Sequence, residues 1–357
     1  MEDIQKRITD IEKEIRETPY HKGTEHHIGL LRARLSKLKD QLIESGTKKS
    51  SGGVGGFAVK KQGDATVVLV GFPSVGKSTL LNKLTNASSR VAPYSFTTVT
   101  VIPGMMHFQG ARIQILDVPG LIEGASSGKG RGREVLSVVR SADLLLIMSD
   151  AKHPGDFEKI ISELDKNGVK VNEVRPQVEI RKTSTGGLRI NFAAKQDISE
   201  ETIKDICREF RVSNAEIIIK EKLNMERLID AFSLNRIYIP ALYILSKSDL
   251  LESANIPEDA IMISAEKEKG LEDLKYTVWE KLGMVRVYLK GRGGITDYED
   301  PLIVNKSYSL NEVMLKVGNE FAENKKGAKI WGPGSRFPGQ SVSLSTLVVD
   351  QMEVEFV

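Results

Sequence analysis

The sequence predicts an α/β fold built on a mostly parallel sheet, with smaller units attached before it, within it and after it. From about residue 62, short apolar runs alternate with helix-like segments, as in sheets that helices cover on both faces. A glycine-rich loop joins the first apolar run to the first of these helix-like segments. The alternation breaks between about residues 167 and 235 and stops near residue 284, which indicates separate units there.

Residues 1–50 are predicted to form a helical hairpin. Apolar residues recur at spacings of three and four, and the rhythm resumes after Thr18-Pro19. We interpret these narrow stripes as the packing seam of the hairpin rather than as a partner site. The stripe residues are Ile4, Ile8, Ile11, Ile15, Ile28, Leu31, Leu35, Leu38 and Leu42. Residues 48–56, rich in Lys, Ser and Gly, have the composition of a flexible linker.

The α/β domain is predicted to comprise residues 62–166 and 237–283, interrupted by an inserted α+β domain at 167–236. A ligand is expected at the carboxyl ends of the parallel strands. The predicted strands of the sheet are 67–70, 113–116, 144–148, 237–245 and 260–263.

Within the insertion, residues 178–181 and 188–192 both alternate apolar with polar side chains. The intervening Ser184-Thr185-Gly186-Gly187 has turn composition, so we predict a β-hairpin. Helices are expected near residues 200–210 and 224–232.

Residues 284–357 are predicted to form a third α+β unit. A strand is expected at Val285–Leu289, and a capping box at Ser309-Leu310-Asn311-Glu312 predicts a helix that runs to about Asn324. Strands are expected at 328–331 and 352–357. One helix among several short strands is typical of a compact module such as the β-grasp fold.

Residues Gly71 to Ser78 read GFPSVGKS and lie directly between an apolar strand and a helix-like stretch. This is the setting of a phosphate-binding loop, whose successive N–H groups face an anion. We expect Lys77 to reach the outer phosphates and the Ser78 hydroxyl to ligate Mg²⁺. A nucleoside triphosphate is therefore the first ligand to expect. The residues expected to bind it here are Ser74, Val75, Gly76, Lys77, Ser78 and Thr79.

Two later clusters are suited to sensing the terminal phosphate. Thr98, in the segment FTTVT, is our choice for the hydroxyl that completes the Mg²⁺ shell, and Thr97 is the alternative. Asp117 ends a predicted strand and is expected to hold Mg²⁺ through water. Gly120, in DVPG, is expected to contact the terminal phosphate through its N–H group.

The segment Ser246-Lys247-Ser248-Asp249 follows a predicted strand and resembles the NKxD element of GTPases, with Ser246 in place of Asn. The Asp249 carboxylate can accept the ring N–H and the exocyclic amine of guanine, a donor pair that adenine lacks. Ser264 and Ala265 follow the next strand, and we assign them with Lys247 to the base side of the site. Serine in place of Asn loses a neutral hydrogen bond or two, worth about 1 kcal/mol each. Because the stronger, charged contacts of Asp249 remain, guanine preference is expected to survive.

Leu121 follows DVPG at the position where Ras-like enzymes carry the glutamine that orients the attacking water. Unassisted turnover is therefore expected to be slow, on the order of 10⁻³ s⁻¹ or below. An activating protein, a monovalent cation or the ribosome would complete the site. The stretch at 128–133, rich in Gly, Lys and Arg, is interpreted as a switch segment, with a solvated charged loop as the alternative.

Five motifs occur in order along the chain: GFPSVGKST, YSFTTVT, DVPGLIEGASSGKGRGREVL, RIYIPALYILSKSD and SAE. By the resemblance they carry, the chain is identified as a member of the developmentally regulated GTP-binding family within the Obg-like GTPases. This resemblance implies GTP hydrolysis with Mg²⁺, stimulation by K⁺, association with translating ribosomes, an inserted ribosomal-protein-like domain at 167–236 and a C-terminal TGS domain of β-grasp fold. Ser74 stands where many potassium-activated relatives carry Asn.

The composition of the sequence limits the cellular compartments and the functions that we expect. A single cysteine, Cys207, excludes an internal disulfide, and the N-terminus is too charged for a signal peptide. No apolar run reaches the roughly 20 residues that span a bilayer, so we expect no membrane partner. The lone cysteine fits a reducing cytoplasm, and we expect a monomer. Two alternative functions stay open. One is an Obg-like ATPase, because of Ser246, and the other is a scaffold that binds RNA or the ribosome through basic side chains. A metabolic kinase is disfavoured because no acceptor-site base stands out.

Overall fold

The computed structural model describes residues 2–19, 21, 23–47, 62–85, 92–93, 100–118, 138–233, 235–250, 259–291, 294–323 and 325–357. These residues form two compact units. The first combines the described parts of 1–56 and 168–238, and the second combines those of 57–167 and 239–357. Within the described ranges, no helix has both the length and the apolar character needed to cross a membrane.

The helices are α1 Glu2–Glu17, α2 Glu25–Thr47, α3 Lys77–Thr85, α4 Asp156–Lys166, α5 Glu200–Glu209, α6 Met225–Phe232, α7 Leu271–Leu282, α8 Leu310–Val317 and α9 Asn319–Ala322. The strands are β1 Ala65–Gly71, β2 Ala92–Pro93, β3 Thr100–Phe108, β4 Ala111–Asp117, β5 Leu144–Asp150, β6 Val169–Val171, β7 Val178–Lys182, β8 Leu188–Phe192, β9 Ala215–Ile219, β10 Ile237–Ile239, β11 Ala241–Ser246, β12 Ala260–Met262, β13 Met284–Leu289, β14 Leu302–Asn305, β15 Ala328–Trp331, β16 Gln340–Val342 and β17 Met352–Phe356. A 3₁₀ turn spans Ser248–Leu250.

In the first unit, α1 and α2 form the predicted hairpin. Buried Ile8 and Ile11 pack on Leu31 and Leu38, with Ile4, Ile15 and Leu35 around them. The side chain of Leu42 lies outside the described part. A second face of α2 packs on the inserted segment, where Ala33 is fully buried. Helix α2 therefore belongs to two cores at once, its own seam and that of the insertion.

The inserted segment folds as a three-stranded sheet in the order β7-β9-β8, backed by α5 and α6. The hairpin predicted from 178–181 and 188–192 is therefore wrong. Strand β9 lies between β7 and β8, antiparallel to the first and parallel to the second. Its inward residues Ala215, Ile217 and Ile219 are almost completely buried, so this apolar strand takes the central position.

The second unit contains a seven-stranded sheet in the order β12-β11-β5-β1-β4-β3-β2. Strands β12, β11, β5, β1 and β4 run parallel, and β3 and β2 extend the sheet antiparallel at one edge. All seven residues of β1 and of β5 are buried, as expected for central strands covered on both faces. The predicted α/β class with a mostly parallel sheet is confirmed.

The predicted strand 237–245 is two strands. Pro240 separates β10, which pairs with β6, from β11, which joins the seven-stranded sheet. Proline has no N–H group for a ladder hydrogen bond, so the chain changes partner at this residue.

The C-terminal strands form a five-stranded sheet in the order β14-β13-β17-β15-β16, with β13 and β17 parallel at its centre. Helix α8 begins at the predicted capping box, since Ser309 and Glu312 each accept the other's backbone N–H. The helix ends at Val317 rather than near Asn324, because Gly318 adopts a φ of 156°. This arrangement is that of a β-grasp module.

Candidate functional site

The loop between β1 and α3 lies at the carboxyl end of the central strand of the sheet. Gly71 leaves β1 so close to β5 that a Cβ atom there would lie 2.6 Å from the Met148 carbonyl oxygen. Gly76 has a φ of 94° and Ser74 a φ of 62°, so the loop curls through the left-handed region twice. Helix α3 then begins at Lys77, and its N-terminal N–H groups and dipole favour an anion.

Lys77 is buried at the start of α3. Its ammonium donates to the carbonyl oxygens of Gly71 and Phe72, over 2.9 Å and 2.7 Å. Both acceptors belong to the phosphate-binding loop itself. The charge is therefore held inside the curl of the loop, where an anionic ligand would lie.

Ser78, in the first turn of α3, meets Asp117 at the end of β4. Leu69 of β1 pairs with Asp117 of β4, which places the carboxylate beside the loop. The Ser78 hydroxyl donates to Asp117 Oδ2 over 2.6 Å. Asp117 is 1% exposed, and its Oδ1 is buried without a hydrogen-bond partner. A hydroxyl and a carboxylate with one unpartnered oxygen thus lie next to the phosphate-binding loop.

Ser246 joins the base side of the site to the phosphate-binding loop. Its hydroxyl, buried at the end of β11, lies 2.6 Å from the Val75 carbonyl oxygen and 3.1 Å from that of Ser149. A hydroxyl has one proton, so these two acceptors compete for it. The serine that replaces Asn therefore still ties the two loops together, but it has no proton left for a ligand.

Lys247 makes a second link. Its φ is 54°, uncommon for a residue with a side chain, and its ammonium donates to the Ser74 carbonyl over 2.7 Å. The same ammonium lies 3.4 Å from Asp150 Oδ2. Burial raises the pKa of Asp150, but hydrogen bonds from His153 and Lys247 outweigh it, so the pKa lies below its ordinary value.

Asp249 lies in the turn after β11, and its side chain is 14% exposed. A hydrogen bond with the buried Ser264 is the main reason that the pKa of Asp249 lies below its ordinary value. Partial desolvation opposes this effect, and the Lys267 ammonium, 3.5 Å from Oδ2, adds to it. The carboxylate is therefore ionised near neutral pH and held by groups of the 264–269 loop.

The structure thus brings two sets of predicted residues together. Lys77, Ser78 and Asp117, which are predicted for the phosphate side, lie together, and so do Asp249 and Ser264, which are predicted for the base side with Ala265 next in the chain. Thr98, Thr97, Gly120, Leu121 and the switch segment 128–133 lie outside the described residues. Among the described residues, no cluster of three or more His, Cys, Asp or Glu side chains has a metal-binding arrangement.

Sequence reasoning missed two contributors to this site, Ser149 and Asp150. They end β5, which lies beside β1 in the sheet, and they receive hydrogen bonds from Ser246 and Lys247. Their position directly after a buried apolar run is the signal that could have found them.

Comparisons with known proteins place this site in a family. Residues 66–181 match the family model described as 50S ribosome-binding GTPase, and residues 185–284 match the C-terminal region of the same domain. An uncharacterized GTP-binding protein of Methanocaldococcus jannaschii is 42% identical over 97% of this chain and 91% of its own length. Developmentally-regulated GTP-binding protein 2 of Homo sapiens is 38% identical over 96% of both chains. The Dictyostelium discoideum developmentally-regulated GTP-binding protein 1 homolog is 38% identical over 98% of both. The resemblance noted in the sequence is confirmed: the chain belongs to the developmentally regulated GTP-binding protein family of P-loop GTPases.

Proposed function

We propose that this protein binds GTP and GDP with Mg²⁺ and hydrolyses GTP slowly to GDP and phosphate. The observation that carries the proposal is the pair of links from Ser246 to Val75 and from Lys247 to Ser74. They hold the guanine-reading carboxylate of Asp249 in fixed register with a loop built for phosphates. A ligand with a purine at one end and phosphates at the other matches that register.

The residues present fit a magnesium ion. Ser78 offers a hydroxyl, and the buried Oδ1 of Asp117 lacks a partner that a metal-bound water would supply. When bound, Mg²⁺ neutralises charge on the β- and γ-phosphates. Ser78 and Thr98 would ligate the ion, and Asp117 would hold it through water.

On the phosphate side, the N–H groups of residues 74–79 would cradle the phosphate oxygens, and the Lys77 ammonium would stabilise charge that grows as the terminal bond breaks. Gly120 would hold the terminal phosphate through its N–H group. Because Leu121 cannot orient water, turnover would be slow until an activating protein or K⁺ completes the site. The carbonyl oxygen of Ser74 lies 2.7 Å from the Lys247 ammonium. We expect Ser74 to be the loop residue that determines whether K⁺ stimulates hydrolysis.

We further propose a role as a translation-linked switch in the cytoplasm, acting as a monomer. The matching family model is described as a ribosome-binding GTPase, which supports ribosomal RNA or protein as the partner. We propose that 284–357 is a TGS domain and 167–236 a ribosomal-protein-like domain. We assign residues 1–50 to the N-terminal helical region and residues 62–166 and 237–283 to the GTPase domain.

Three measurements test these proposals. Competition of GDP and ADP against a fluorescent GDP analogue should show a strong preference for GDP; equal binding would instead favour the ATPase alternative. Lys77→Ala should abolish GTP hydrolysis. Lys159→Ala, which removes the ion pair with Asp156 on the surface of α4, should leave the hydrolysis rate unchanged. Sedimentation with ribosomes should differ between GDP and a non-hydrolysable GTP analogue. Binding insensitive to nucleotide would favour a scaffold.

A further inference from the structure

The C-terminal module, residues 284–357, contacts the turn that joins β3 to β4. The Arg286 guanidinium donates to Gln109 Oε1 in that turn over 2.7 Å. Gly110, the next residue, has a φ of 83°, and a Cβ atom there would lie only 2.6 Å from Pro301 Cγ. A hydrogen bond to a charged group and a close packing contact therefore join the turn to the module.

The module and the β3–β4 hairpin also share a hydrophobic core. Met284 of β13 and Ile303 of β14 are buried in the same cluster as Ile113 of β4. Phe108, the last residue of β3, packs edge-on against Tyr276 of α7, with ring centroids 4.8 Å apart. Separating the module from the hairpin would expose this apolar surface to water, which costs free energy. The module is therefore docked on the hairpin and not merely tethered to it.

The hairpin connects this contact to the phosphate side of the site. Seven consecutive antiparallel pairs join its strands, from Phe108 with Ala111 at the turn to Ile102 with Asp117 at the other end. The pairing of β4 with β1 begins at Ile113, so the turn projects beyond β1. An uninterrupted ladder fixes the register of β4, because a slip of one residue would turn every side chain to the opposite face. The turn and the Asp117 carboxylate are thus the two ends of one ordered element.

We propose, on the basis of the function proposed above, that the C-terminal module positions Asp117 for Mg²⁺ through the β3–β4 hairpin. Gln109 and Arg286 are then positioning residues, which act at the far end of β4. One oxygen of Asp117 accepts from Ser78, and the other is buried without a partner, so a small displacement of β4 changes how well it can hold a metal-bound water. Docking of the module raises the affinity for Mg²⁺, and by linkage Mg²⁺ binding strengthens docking to the same degree.

The first test is the Mg²⁺ concentration that gives half-maximal GTP hydrolysis. Gln109→Met nearly keeps the size of the side chain and removes the acceptor, while the Arg286–Asp350 pair inside the module stays. This variant should raise the half-maximal Mg²⁺ concentration roughly three- to tenfold, as for residues along a coupled path. Gln109→Glu, which keeps an acceptor for Arg286, should stay within twofold of the wild type.

Arg286→Met should shift the half-maximal Mg²⁺ concentration in the same direction, and Lys290→Met is its matched control. Lys290 directly follows β13 and is about as exposed as Arg286, at 16% against 19%. It forms an ion pair of the same length, 2.7 Å, with Glu353, which belongs to the module. Lys290→Met should therefore leave the Mg²⁺ dependence within twofold of the wild type.

The second test follows the module itself and needs no turnover. In the wild type, Mg²⁺ with a non-hydrolysable GTP analogue should slow amide exchange of β14, which carries Ile303, by a similar factor. Gln109→Met should lose most of that slowing.

An unshifted Mg²⁺ dependence for Gln109→Met, an equal shift for Lys290→Met, or β14 exchange that does not respond to the bound analogue would each overturn the inference. If GTP hydrolysis by the wild type does not depend on Mg²⁺ at all, the proposed function fails instead, and that result is obtained before any variant is compared.

Discussion

The hydroxyl of Ser246 donates to the carbonyl oxygen of Val75 over 2.6 Å and so joins the base side of the site to the phosphate-binding loop. The neighbouring Ser149 carbonyl, 3.1 Å away, competes for the same proton. Serine here replaces an asparagine, yet the connection between the two loops survives. The single proton of the Ser246 hydroxyl is used within the chain, and its contact with Val75 has measurable consequences.

Ser246→Ala should weaken GDP binding about fivefold, because one neutral hydrogen bond of about 1 kcal/mol then no longer aligns the two loops. Isothermal titration calorimetry at fixed Mg²⁺ would measure this change. Ser248→Ala, in the same turn, serves as the control and should change the affinity less than twofold. Equal GDP affinities for Ser246→Ala and the wild type would mean that the contact does not support binding.

Asp117→Asn should raise the Mg²⁺ concentration that gives half-maximal GTP hydrolysis by roughly 10- to 100-fold, as with other outer-sphere metal partners. Asparagine keeps the shape of the side chain and can still accept from Ser78, but it carries no charge for the ion's water shell. A magnesium titration of the hydrolysis rate is the measurement. Asp156→Asn, at the first residue of α4 and paired with Lys159, should leave the titration curve in place. An unshifted curve for Asp117→Asn would contradict the metal assignment.

The C-terminal module is joined to the β3–β4 turn through Arg286, whose guanidinium donates to Gln109 Oε1 and, in a bidentate pair, to Asp350. Burial raises the pKa of Asp350, but Arg286 lowers it more, so the pKa lies below its ordinary value of 3.8. A depressed folded-state pKa stabilises the fold above the unfolded-state pKa, and that stability is lost as pH falls through the folded-state value.

Asp350→Asn should therefore lower the free energy of unfolding at pH 7 by about 1–2 kcal/mol, a figure reduced because the pair is partly exposed. Between pH 5 and pH 3, the free energy of unfolding should fall less for Asp350→Asn than for the wild type. Thermal denaturation followed by circular dichroism across this range measures both effects. Glu320→Gln, an exposed residue of α9, should behave like the wild type. Parallel pH profiles for Asp350→Asn and the wild type would show that the pair contributes nothing.

Ala33 of α2 is fully buried against the inserted segment, in the same core as Leu228 and Ile229. Ala33→Leu should overpack this core and destabilise it by about 1–3 kcal/mol. Amide exchange of β9 should accelerate, because that strand lies at the centre of the sheet in the same unit. Arg34→Ala, a half-exposed neighbour, should leave the exchange of β9 slow. Slow exchange in both variants would show that the hairpin does not support the insertion.

Much of the fold follows from local patterns in the sequence. The stripes of the N-terminal helices, the buried strands around the phosphate-binding loop and the capping box at Ser309 each depend on residues within a few positions of one another. Such signals predict an element well, because the atoms that stabilise it are neighbours in the chain. The ordered motifs likewise predicted Lys77, Ser78 and Asp117 as one cluster.

The errors concern partners that are distant in sequence. Nothing near residues 178–192 shows that β9 will lie between the two strands, and the change of sheet at Pro240 depends on pairing with β6, which lies 66 residues or more away. Gly318 could have been recognised as a helix end. Asp150 escaped notice because its role depends on Lys247, which reaches it only through the parallel arrangement of β5 and β11.

The most direct test of guanine recognition replaces Asp249, the carboxylate that we propose reads the base. Asparagine at position 249 offers an amide N–H donor where the carboxylate accepts, so it should disfavour the guanine two-amino group and donate to the two-oxygen of xanthine. We predict that Asp249→Asn lowers the affinity for GDP by at least about tenfold, as expected for the loss of a hydrogen bond to a charged group. The variant should bind xanthosine diphosphate more tightly than the wild type does. If Asp249→Asn binds GDP as tightly as the wild type and gains no affinity for xanthosine diphosphate, Asp249 does not face a purine and the account is contradicted.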